Sequence, residues 1–119
     1  METLTQEHCT ACRAGEPTLT GTEWAEMHKQ IPNWTIVERD GIRRLERIVK
    51  VPDFAAALAL TDKIGALAEA EGHHPAILTE WGRVTVTWWT HKIRGLHRND
   101  VIMAAKTDQL MAAMGQEQR

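Results

Sequence analysis

Asp40-Gly41 sits between two apolar–polar alternating runs, and few dipeptides constrain a chain as tightly. Asp-Gly readily takes the positive φ angles that a two-residue hairpin turn requires. Trp34 to Glu38 reads as a short strand before the turn. After it, Leu45, Arg47, Val49 and Val51 share one face at period two, with Glu46, Ile48 and Lys50 on the other. A second unit of the same kind follows: Ala76 to Glu80, the turn Trp81-Gly82, then a run from Arg83 to Thr90. There Val84, Val86 and Trp88 face one side, and Thr85, Thr87, Trp89 and His91 the other. Two hairpins without crossovers predict an antiparallel sheet.

Helical signals occupy the remaining segments. Thr20-Gly-Thr-Glu23 is a capping box, with Leu19 and Trp24 placed as its hydrophobic staple. It predicts a helix over about 21–30 that buries Trp24, Met27 and Ile31 and stops at Pro32, leaving His28 on the surface. Pro52-Asp53 opens a second helix, whose stripe of Phe54, Ala57, Leu58, Leu60, Ile64, Leu67 and Ala68 suits a core-facing side. Gly72 is its natural terminator. A loop with Gly95 leads to a last helix over about 98–114. The order αββαββα predicts a single α+β domain, a four-stranded antiparallel sheet with helices packed on one face. That domain spans 19–119; residues 1–18, polar and without periodicity, read as a flexible N-terminal arm.

A chain of 119 residues suits one domain with its own core. With a net charge of −2 it has no global attraction to nucleic acid or acidic membranes. Arg43, Arg44 and Arg47 read as a solvated strand edge. No apolar run approaches the roughly 20 residues of a membrane span. The first residues lack the basic and apolar regions of a secretory signal, and Cys9 and Cys12 offer no disulfide framework, so the expected compartment is the cytosol. His8, Cys9 and Cys12 supply only one knuckle of the two a zinc site usually needs.

Chemistry concentrates in Glu71–His91, EGHHPAILTEWGRVTVTWWTH. His73 and His74 leave a helix end, and Pro75 stiffens their exit. His91 ends the other strand of the hairpin, so all three imidazoles are expected at one edge, with His97, Asn99 and Asp100 close by. The helix start there offers free N–H groups to a polar ligand. Imidazoles suit general acid–base work, and a dehydration needs one group to protonate a leaving hydroxyl while another removes a proton. No Ser or Cys nucleophile lies near them in sequence.

These residues resemble the signature of the pterin-4a-carbinolamine dehydratase family. It has an acidic residue, three positions, His-His-Pro, then an aromatic, a histidine and an aspartate at fixed spacing; here Glu69, His73-His74-Pro75, Trp81, His91 and Asp100. The likeness extends over Leu19 to Met114. It implies a dehydratase that converts 4a-hydroxytetrahydropterin into quinonoid dihydropterin, recycling the cofactor of aromatic amino-acid hydroxylases. It implies His73 and His91 as acid–base groups and His74 as the residue that positions the pterin, with Glu69, Trp81 and Asp100 around the substrate. No metal and no bound cofactor is implied, because the pterin is the substrate, and a homodimer or homotetramer is. Two departures stand out. Gly72 replaces an acid found in some members, and His97 stands where a Ser or Thr could cap the last helix, a loss of about 1 kcal/mol.

Other readings stand beside this one. A metal held by His73, His74 and His91 would need two adjacent extended residues to turn to one side. Asp100 at a helix start is also explained by the helix dipole, and Glu69 by solvation. Trp81, Trp88 and Trp89 suit core or interface, with Trp81 or Trp89 able to border a flat ring. The fold could also serve as a non-catalytic dimerisation or assembly partner.

Overall fold

Both expected hairpins form, and the longer strand of the first pairs with the longer strand of the second. The computed structural model describes residues 4–6 and 18–114. Strand β1 (Thr35–Arg39) turns through Asp40 and Gly41, at φ 55° and 75°, into β2 (Ile42–Lys50). Strand β3 (Ala76–Glu80) turns through Trp81 and Gly82 into β4 (Arg83–Trp88). The sheet order is β1-β2-β4-β3, antiparallel throughout. Leu45, Arg47, Val49 and Val51 of β2 and its extension point inward with Val84, Val86 and Trp88, whereas Ile48 is 51% exposed on the other face.

Helices α1 (Gly21–Met27), α2 (Phe54–Glu71) and α3 (Arg98–Ala113) complete the predicted order. The Thr20/Glu23 capping box starts α1, which tightens into a 3-10 turn over His28–Gln30. His28 is half-buried rather than a surface residue: its Nε2 bonds the Trp34 carbonyl at 3.0 Å, and its ring stacks on Trp24. Asp53 caps α2 by accepting from Ala56 N–H at 2.8 Å. The face that meets the core is Ala57, Leu60, Ile64 and Ala68. Phe54 and Leu58, expected in that stripe, are 42% and 51% exposed. Leu58 lies one residue, about 100°, round the helix from Ala57, outside the arc that the sheet can cover.

Two differences from the sequence reading bear on the site. Strand β4 stops at Trp88, and Thr90 instead pairs with Gly95, Thr90 N–H donating to the Gly95 carbonyl at 2.9 Å. That bridge closes a 3-10 turn over His91–Ile93, so His91 stands in a turn rather than at a strand end. Within the expected arm, Leu4–Gln6 forms a turn seated on α3. Leu4 is fully buried, its N–H bonds Gln30 Oε1 at 3.1 Å, and Lys106 Nζ donates to the Thr5 carbonyl at 3.2 Å. Cys9 and Cys12 lie outside the described residues. Among the described residues no helix is long and apolar enough to cross a membrane.

Arg47 does not belong to a solvated edge. It is 3% exposed, and its Nη1 meets Asp108 Oδ1 of α3 at 2.6 Å; the same oxygen accepts from Trp34 Nε1 at 2.8 Å. Burial pushes the Asp108 carboxyl up, while the Trp34 N–H and the Arg47 charge pull it back down. Removing one partner of such a pair strands the other charge, at about 3–5 kcal/mol. Arg47→Met should therefore lower unfolding free energy in urea by that order. The double variant Arg47→Met, Asp108→Leu should lose clearly less than the sum of its singles; additive losses would contradict the pairing.

Candidate active site

The site is assembled by one carboxylate. Asp100 sits in the first turn of α3, fully buried. Its Oδ1 meets His73 Nε2 at 2.7 Å, and its Oδ2 accepts from Thr90 Oγ1 at 2.8 Å and from His97 N–H at 2.9 Å. One side chain thus ties the start of α3 to the exit of α2 and to the turn after β4. Local sequence puts each partner within reach. Gly72 takes φ 65° at the end of α2, and His73 N–H reaches back to the Ala68 carbonyl at 3.2 Å. This Schellman-type ending turns His73 inward, where its ring lies parallel to the buried Trp88 ring, 7° between planes and 5.7 Å between centroids.

An ionised carboxylate can only accept, so the His73 proton that faces Asp100 is on Nε2. The neutral ring then presents Nδ1 as its basic nitrogen. The His73 side chain is 11% exposed, enough to meet a ligand while its far edge stays dry.

His97 caps α3 after all. Its Nδ1 accepts from Asn99 N–H at 3.0 Å, and Asp100 completes the capping box from the third helical position. The imidazole therefore occupies the role expected of a Ser or Thr. Helix N–H groups that sequence reading offered to a ligand are partly used in this cap.

The other expected site residues form two further clusters. His74, 60% exposed, engages a different carboxylate: its Nε2 meets Glu69 Oε1 at 2.6 Å. Two adjacent histidines bound to different carboxylates do not converge on one ion, and among the described residues no group of three or more His, Cys, Asp or Glu is disposed to hold a metal. His91 is exposed and rests against Trp89, 4.5 Å between ring centroids, while the Arg44 guanidinium lies 4.2 Å from the Trp89 ring. Thr90, bonded to Asp100, links the His91 turn to the His73 cluster. Trp81 is not brought to these groups. It is 72% exposed in the β3–β4 turn, with the five residues of β3, at about 3.3 Å each, between it and the histidines.

Thr90, Trp88 and Arg44 are the residues that sequence reading missed. For Thr90 a signal existed: period two places it on the inner face with Val84, Val86 and Trp88, and a buried hydroxyl needs a partner. Arg44 sits next along β2 from Leu45, which pairs with Trp88, so its meeting with Trp89 follows from register and not from sequence pattern.

A small α+β protein with a buried carboxylate–imidazole pair where helices meet the sheet is equipped for proton transfer on a small polar molecule. The chain belongs to the pterin 4 alpha carbinolamine dehydratase family, whose profile matches residues 17–110. A relative from Nitrosococcus oceani is 60% identical over 111 residues, covering 93% of this chain and 98% of its own length. One from Syntrophotalea carbinolica is 58% identical over 111 residues, covering 93% and 99%. Both carry a provisional pterin-4-alpha-carbinolamine dehydratase name. A crystal structure described as a transcriptional coactivator/pterin dehydratase from Brucella melitensis superposes with a TM-score of 0.70 at 31% identity, covering 79% of this chain and 98% of that one.

Gly72→Ala tests how His73 is aimed. A side chain at positive φ costs about 1 kcal/mol, so the thermal midpoint should fall by several degrees. The His73 ring signals should broaden or shift as the exit relaxes; an unchanged midpoint with unchanged His73 signals would contradict the assigned role.

Proposed function

We propose that this chain removes water from 4a-hydroxytetrahydropterin to give quinonoid dihydropterin, with His73 and His91 as the acid–base pair. The observation that carries the reading is the buried Asp100 beneath His73, which selects the Nε2–H form of that ring. In the reaction the C4a–O bond breaks, the leaving oxygen takes a proton and departs as water, and a ring N–H gives up its proton. A base oriented by a carboxylate and a second, solvent-facing imidazole suit those two transfers. His74, held by Glu69, would position the pterin. The reaction needs no metal and no bound redox cofactor, because the pterin is itself the substrate.

Self-association belongs to the same proposal. Ile48 and Leu78 on the outer sheet face, and Phe54 and Leu58 on α2, leave apolar side chains about half exposed. A homodimer or homotetramer would cover them. An aromatic amino-acid hydroxylase would supply the substrate. The second reading, a non-catalytic assembly partner, draws on the same exposed side chains and on the coactivator description of the Brucella protein.

A coupled assay separates these readings by following quinonoid dihydropterin formed from enzymatically generated 4a-hydroxytetrahydropterin. Wild type should accelerate the step, and His73→Ala and His91→Ala should remove most of the gain while keeping the oligomer. Asp100→Asn should cut turnover by about a hundredfold or more with a smaller change in KM. No acceleration by folded wild type would favour the assembly reading; full activity in His73→Ala would sink the acid–base assignment.

A further inference from the structure

A concavity lies at the C-terminal end of the His91–Ile93 turn, and the residues around it are not used by the dehydration. It encloses about 270 Å³. Leu19, Trp24, Ile36 and Leu96 give it an apolar lining, and Glu38, Arg43 and Arg94 bring charge to it. Pockets for drug-sized ligands run from about 300 Å³ upwards, so its occupant is small.

The backbone at Arg94 points to a ligand. Arg94 holds φ 51° and ψ 51°, the left-handed region, where a residue with a Cβ is costly and glycine is not. Glycine is the next residue, Gly95, but a Cβ there would meet Thr18 Cγ2 at 3.0 Å, and Leu19 N–H bonds the Leu96 carbonyl at 2.9 Å beside it. The two segments are locked together, and the positive φ falls on an arginine. Among the described residues the Arg94 guanidinium has no hydrogen bond or ion pair. Arg43 is engaged only loosely: it stands 3.9 Å from Glu38, and the side chains are 68% and 62% exposed. An exposed arginine held in the left-handed region at the edge of a cavity, with no partner among the described residues, is placed to meet an anionic ligand.

We propose that this groove binds a small apolar monocarboxylate. Guanidinium groups match a carboxylate in shape and charge. Two arginines against one glutamate leave a single positive charge among the lining residues, which a monoanion balances. The apolar lining takes the body of the molecule. Because Arg94 N–H bonds the His91 carbonyl at 3.3 Å, an occupied groove stiffens the turn that carries His91.

The test is a titration of the full chain with 3-phenylpropionate, followed by amide NMR and independent of any pterin assay. Saturable shifts are expected at Leu19, Trp24, Ile36, Arg43 and Gly95. The neutral amide 3-phenylpropanamide and inorganic phosphate should each bind at least about tenfold more weakly. The decisive variant is Arg94→Gly, which removes the guanidinium and relieves the backbone at once. It should bind 3-phenylpropionate at least about tenfold more weakly while melting at a higher temperature than wild type. The proposal is overturned by no saturable shift in wild type, by equal binding of the amide or of phosphate, or by undiminished binding in Arg94→Gly. A lower melting temperature in that variant would overturn the claim that Arg94 is held at a cost.

Discussion

A carboxylate removed from water must find its hydrogen bonds inside the protein, and Asp100 finds three of them on three different segments. Burying an ionised side chain is tolerable only when its oxygens are well supplied with donors. Each donor is therefore constrained in turn: His73 must leave α2 facing inward, Thr90 must stay on the inner side past the end of β4, and the His97 backbone must close the first turn of α3. The same contacts that make the carboxylate affordable determine the direction and tautomer of the His73 ring.

Helix α3 carries a second carboxylate contact, the partly buried Asp108 with Arg47 and Trp34, two turns further along. Between the two lie Val101, Ile102, Met103, Ala104, Ala105 and Thr107, all buried. An apolar helix against an apolar sheet face could slide or rotate at little cost. Two directional polar contacts fix both its register and its rotation. The position of Asp100 relative to His73 thus rests partly on a pair far from the chemistry.

Much of this was legible in the sequence wherever a single local interaction decides the conformation. Asp40-Gly41 specifies its turn by backbone preference alone, the Thr20/Glu23 box starts α1, and Gly72 ends α2. Period two placed Arg47 on the inner face, but its partner stands 61 positions away, and nothing local announces it. Alternation that continues through Thr90 predicts His91 at a strand end, whereas the Thr90–Gly95 bridge ends the strand earlier. Trp81 belongs to the family signature by spacing, yet the hairpin that brings the two strands together also carries its turn to the far end. Spacing along a chain and proximity in the fold are different properties.

The central claim is that Asp100 holds neutral His73 with its proton on Nε2 and its lone pair on Nδ1. Long-range proton–nitrogen NMR of the His73 ring reports this directly, in wild type and in Asp100→Asn. The account predicts a protonated Nε2 and an unprotonated, acceptor-type Nδ1 for the neutral ring in wild type, with that preference lost in the variant. A proton on Nδ1, or the same tautomer mixture in both proteins, would contradict it.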